Sequence, residues 1–130
     1  MLKWFVAAVK AEATLSDLQG RIFPDVAPEG TVNPCLIYQL VGDRSEAAVD
    51  AGATKDGTLA YQVRIYAATR KQANALRESF RQAFDGIDPQ AIGGGQRIEG
   101  SAWGELADTF DGDTKDYGAL GVVEFHLAAA

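Results

Sequence analysis

The clearest pattern in the chain lies between Thr58 and Ala67, where Leu59, Tyr61, Val63 and Ile65 alternate with Ala60, Gln62, Arg64 and Tyr66. A period of two puts one set on each face of a pleated strand, so the segment predicts a strand with one buried face. The period then changes. Ala73, Leu76, Phe80 and Phe84 follow a 3.6-residue repeat, with Arg70, Lys71, Asn74, Arg77, Glu78 and Arg81 mostly outside that stripe. Thr69-Arg70-Lys71-Gln72 fits the capping box that opens a helix, in which the threonine oxygen accepts from a free amide and the glutamine reaches back. Gly86 stops that helix.

A second helical pattern runs from Leu2 to Leu18, with Leu2, Phe5, Val6, Val9 and Ala13 on one side and Gly20 placed to end it. Arg21-Ile22-Phe23-Pro24 reads as a short extended piece, and Asp25 to Pro34 as a loop holding Pro28 and Gly30. Cys35 to Val41 is rich in β-branched, aromatic and apolar residues and predicts a strand. Gly42 to Gly57 is polar and small; it reads either as a long flexible loop or as an extended hairpin tip. Arg97 to Trp103 and Leu120 to Leu127 predict two further strands, the last with Val123, Phe125 and Leu127 on one face. The expected fold is α+β: a small, mainly antiparallel sheet packed against two helices, in a single domain over residues 1–130.

Composition narrows the function classes. With 47% hydrophobic and 23% charged residues, the 130-residue chain has the make-up of an ordinary globular protein. No apolar run approaches the ~20 residues a membrane helix needs, so no membrane partner is expected. The N-terminal apolar stretch is broken by Lys10 and Glu12 and does not read as a secretory signal. A single cysteine, Cys35, points to a reducing compartment and reads as a small apolar residue opening a strand. The net charge of −6 repels phosphate, so direct sequence-specific binding of nucleic acid is not expected.

The residues that usually carry catalysis are scarce. His126 is the only histidine, and any Ser-His-Asp or Cys-His arrangement would have to use it. One histidine and one cysteine exclude the common closed zinc sets. Asp108 to Asp116 holds four aspartates but lacks the order of a calcium loop; it reads as an acidic, solvated hairpin loop, with weak cation binding as the alternative. Gly93-Gly94-Gly95 is not followed by the lysine of a phosphate loop and reads as a flexible connector. Arg70, Lys71, Arg77 and Arg81 form the one local basic face, expected to be solvated. No catalytic residue, cofactor or metal is expected, and the chain does not read as an enzyme.

With these elements in place, the chain resembles the tail-terminator or tail-completion family of long-tailed phages and gene transfer agents. Four stretches carry the resemblance. They are the first helix ending in Gly20-Arg21-Ile22-Phe23-Pro24, and Ala27-Pro28 leading through Pro34 to Leu36-Ile37-Tyr38-Gln39. Tyr61-Gln62-Val63-Arg64-Ile65-Tyr66-Ala67 with the Thr69 to Phe84 helix comes third, and Asp116-Tyr117-Gly118 before the closing strand is the last. The chain departs from the family pattern at Gly93 to Gly95 and at Asp108 to Asp116. The resemblance implies a structural subunit of a hexameric ring that caps the tail tube, halts its growth and joins it to head-tail connector proteins. It also implies a place in the neck of the virion, after assembly in the host cytoplasm.

An assembly subunit works through edges and loops. Arg64 and Tyr66, on the solvent face of the alternating strand, are residue types enriched at interfaces. Arg44, Glu46, Asp50, Lys55 and Asp56 mix charge signs in a segment with few large apolar side chains. These seven are the candidate contact residues, and Asp43 to Gly57 is expected to gain order on assembly. The alternative is a dimeric α+β module or enzyme with a small-ligand pocket between sheet and helices.

Overall fold

A computed structural model describes residues 2–48 and 52–129; at 44–48 and 52–56 the description is of the backbone. The elements are α1 (Leu2–Ala11), a 3-10 helix (Ala13–Leu18), β1 (Ile22–Pro24), β2 (Cys35–Ala48), β3 (Gly52–Ala67), α2 (Arg70–Phe84), β4 (Gln90–Gly93), β5 (Gln96–Asp111) and β6 (Asp116–Ala129). The strands form one sheet in the order β1-β2-β3-β6-β5-β4, antiparallel throughout except for the parallel edge pair β1–β2.

The expected small sheet against two helices is not what the chain builds. About half of it is strand, in a six-stranded sheet curled into a half-barrel, and the helices are mostly short. The central strands continue far beyond the part that carries apolar alternation. Every residue from Gly104 to Lys115 is exposed, so this half of β5 and the turn that follows have no buried face to write a period of two into the sequence. Bulges accompany the curl: single residues are inserted at Leu40/Gly42 in β2 and at Ile98/Gly100 and Glu105/Ala107 in β5, and a further register shift falls between β2 and β3 at Ser45/Ala47. Each inserted residue bends its strand and increases the local twist.

The open alternative for Gly42 to Gly57 resolves as a hairpin, paired out to Ala48 and Gly52. The residues between them lie outside the described residues, as does the tip's expected gain of order on assembly. The Leu2 to Leu18 pattern is two helices rather than one. Glu12 is extended at the junction, and its carboxylate accepts from the Thr14 hydroxyl at 3.0 Å. Gln19 and Gly20 then take left-handed backbone, which turns the chain into β1.

The core lies between one face of the sheet and the helices. Phe5 of α1 is its centre, fully buried, with ring centroids of Tyr61 at 4.9 Å, Phe125 at 5.7 Å, Phe84 at 5.8 Å and Tyr38 at 5.9 Å. Ala73, Leu76, Phe80 and Phe84 are all buried, as the helical spacing predicts. Thr69 is the N-cap, its hydroxyl oxygen accepting from the Gln72 amide at 3.1 Å. The Gly93 to Gly95 stretch is the tight turn of the β4–β5 hairpin rather than a loose connector. All three residues have positive φ, which glycine adopts without a Cβ penalty.

Candidate assembly surface

Because side chains alternate along β3, Val63 and Ile65 enter the core while Gln62, Arg64 and Tyr66 stand on the opposite face. No helix covers that second face among the described residues. Arg64 donates to the Gln62 side chain at 3.2 Å. Tyr66 lies over Gly118 on β6, where an added Cβ would come within 3.1 Å of its ring. The two residues border a cleft with Cys35, Ile37, the loop after β1 and the carboxylates Asp111 and Asp116. Asn33 in that loop donates to Asp116, tying the loop across the sheet to the start of β6.

Of the seven candidate contact residues, the structure describes the side chains of Arg64 and Tyr66. Asp50 lies outside the described residues, as do the side chains of Arg44, Glu46, Lys55 and Asp56. The backbone of Arg44 is well separated from Arg64 and Tyr66. Arg44 pairs with Thr58, six positions before Arg64 on the same strand, or about 20 Å at ~3.3 Å per residue.

Cys35 and His126 are far apart. Cys35 sits opposite Tyr66 and His126 opposite Thr58, eight positions apart along β3, or roughly 26 Å. Burial pushes the Cys35 thiol up, the Asp116 carboxylate adds to this, and Arg21 partly offsets it. His126 is exposed, with Nδ1 3.3 Å from the Thr58 hydroxyl. The two cannot act as nucleophile and base on one substrate. Among the described residues, no group of acids, cysteine and histidine is placed to hold a metal, including the acidic Asp108 to Asp116 segment. There Asp111 instead organises the turn, its carboxylate accepting from the Asp113 amide at 2.9 Å.

The basic helix face is not simply solvated. Arg77 reaches Asp108 and stands 3.8 Å from Glu105. Arg70 donates to the carbonyls of Gly118 at 2.8 Å and Thr109 at 2.6 Å, with its guanidinium 5.2 Å from the Tyr117 ring centroid. Both arginines therefore bind α2 to the exposed half of the β5–β6 hairpin. Arg81 pairs with Glu78 on the same helix, and that hydrogen bond holds the Glu78 carboxyl below its usual range.

What sequence reasoning missed is that, among the described residues, two strand edges are only partly covered. β1 covers β2 only at Leu36–Tyr38, and β4 covers β5 only near Gln96–Ile98. Each covered stretch ends in a cap: the Asp25 amide donates to the Tyr38 carbonyl, and the Asp85 carboxylate accepts from the Trp103 amide, both at 2.9 Å. Beyond the caps stand Leu40 (49% exposed) and Val41 (52%) on β2, and Leu106 (58%) and Phe110 (55%) on β5. A cluster of apolar residues in a stretch with no covered face was the available signal.

A family model described as tail completion protein gp17 matches residues 5–127. Among solved structures, a chain of the virion of a native gene transfer agent particle superposes with a TM-score of 0.61 at 18% identity, covering 93% of this chain and 89% of its own. A second, whose name carries no functional description, gives a TM-score of 0.64 at 10% identity over 100% of this chain and 97% of its own. At these identities the superpositions speak for the fold. No curated protein matches the chain.

Proposed function

Since this chain belongs to the tail completion protein gp17 family, a family of phage tail structural proteins, we propose that it forms a ring of six subunits that caps the tail tube and joins it to the head connector. The family match along nearly the whole chain carries this reading. The sheet supports it physically. A curled sheet that has, among the described residues, two partly uncovered edges and one face without a helix offers surfaces to neighbours, whereas monomeric proteins commonly shorten, charge or cover such edges.

In this reading Arg64 and Tyr66 belong to one contact region and the β2–β3 hairpin, with Arg44, Glu46, Asp50, Lys55 and Asp56, to another. Two separated regions suit a subunit that must touch its neighbours in the ring as well as the tube below or the connector above. The work is done by binding alone, needs no cofactor, and places the protein in the neck of the virion after assembly in the host cytoplasm.

The experiment is depletion of this chain during particle assembly, followed by electron microscopy of tails. The proposal expects tubes of irregular length that fail to join heads. Normal tails on filled heads in its absence would overturn it.

A further inference from the structure

The cleft beside Arg64 and Tyr66, on the sheet face without a helix, is unbalanced in charge. The carboxylates of Asp25, Asp111 and Asp116 line it against the single guanidinium of Arg64. Asp111 accepts from the Asp113 amide and Asp116 from the Asn33 side chain, neutral donors that leave both negative charges in place. Among the described residues none of these three acids stands in an ion pair; the acids that do are Glu78, Glu99, Glu105 and Asp108. Ile37 and Tyr66 give the cleft apolar surface, and Val26 at its rim is 73% exposed.

The helix side of the subunit carries the complement. α1 turns Phe5 and Val9 into the core. At about 100° per residue, the direction opposite those two is that of Ala7, with Lys3 and Lys10 close beside it. Lys3, Ala7, Lys10 and Ala11 are all exposed, and α1 contains no acid. The lysines lie on one line of the helix, about 10.5 Å apart along its axis. Among the described residues the ion pairs are made by arginines, so both ammonium groups are without a carboxylate. The alanine between them keeps the surface flat. This cationic face and the acidic cleft look away from each other across the sheet, so a subunit cannot bring its own two surfaces together.

We infer that the exposed face of α1 docks on the cleft of a second copy of this chain, with Lys3 and Lys10 meeting Asp25, Asp111 and Asp116, and Ala7 letting the helix backbone come close. This rests on the ring reading and supplies its subunit contact. The two surfaces differ and sit on opposite sides of the subunit, so the contact is head to tail; it propagates from copy to copy and closes into a ring where the rotation between copies permits. Opposed charge also selects this packing over the reversed one, in which α1 would meet α1 with lysine facing lysine.

Cross-linking and charge reversal test the contact. In a Cys35→Ser background, Lys10→Cys and Val26→Cys are made separately and together and treated with a short bismaleimide. The inference expects no product from either single variant, a dimer from a mixture of the two, and a ladder up to the full ring from the double variant. Lys3→Glu with Lys10→Glu, both at exposed positions, should leave the melting temperature in place and raise the protein concentration for half-assembly by roughly tenfold or more, because like charges then face each other across the contact. Asp111→Asn with Asp116→Asn, which keeps an acceptor oxygen at each position, should shift assembly in the same direction. If rings form but Lys10→Cys links to itself or fails to link to Val26→Cys, or the glutamate variant assembles as the wild type does, the contact is wrong while the ring stands. If the wild-type chain stays monomeric both alone and on tail tubes, the ring reading fails and takes the contact with it.

Discussion

The indole of Trp103 lies so close over Gly121 that a Cβ at Gly121 would sit 2.1 Å from ring carbons Cζ2 and Cη2. Trp103 pairs with Val123 on β6, and its ring reaches diagonally across to the glycine two positions away. The other side of the ring meets Phe80 of α2, centroids 5.1 Å apart. The missing side chain at Gly121 is thus what lets β5 join the core. Gly121→Ala should displace the indole and destabilise the fold by about 1–3 kcal/mol, the usual range for overpacking. Thermal melting, with tryptophan fluorescence as the local reporter, checks it.

Phe80 should be the most costly truncation in α2. It is fully buried and stacked on Phe84 at 4.6 Å, between Trp103 and Phe5. Phe80→Ala removes a ring that the surroundings cannot refill, at a cost of about 3–5 kcal/mol. That is a large part of the stability of a small domain, and denaturant unfolding should register it as a lower midpoint.

Arg77 gives a smaller, salt-sensitive effect. Its side chain is 14% exposed and faces Asp108 and Glu105, which are about half exposed. Exposed partners keep such pairs to about 0.2–1 kcal/mol. Arg77→Gln should cost roughly that at low ionic strength and less in high salt. Melts at two salt concentrations distinguish this from loss of packing, which salt would leave in place.

Cys35 should be chemically quiet in the folded protein. It is 3% exposed and its thiol is pushed up, first by burial and then by Asp116. The thiolate is the reacting species, so alkylation near neutral pH should be slow until denaturant unfolds the chain. Cys35→Ser and His126→Gln should both leave particle assembly intact. Loss of assembly by either variant while it stays folded would reveal a role that the roughly 26 Å between their strand positions does not suggest.

The parts of the fold legible in the sequence are those in which a covered face imposes a period. Leu59 to Ile65 on β3, the Ala73 to Phe84 stripe and the Thr69 cap all stand where their spacing puts them. The sheet was underestimated because strand ends exposed on both faces follow no such rule. Gly104 to Asp111 is held by backbone pairing to β6 and by Arg70 and Arg77. Those arginines read as surface because the groups that accept their hydrogen bonds are 31 to 48 positions away in the chain. Of the candidate contact residues, alternation correctly set Arg64 and Tyr66 on the uncovered face. The partly covered edges at Val41 and Leu106 depend on where β1 and β4 stop, which is a property of the assembled sheet.

The most direct test of the proposed ring is the mass distribution of the purified chain, alone and mixed with isolated tail tubes, read by mass photometry and negative-stain microscopy. The account predicts a species of six subunits and a ring seated at the end of the tube. A chain that remains monomeric or dimeric under both conditions, with bare tube ends, would contradict it.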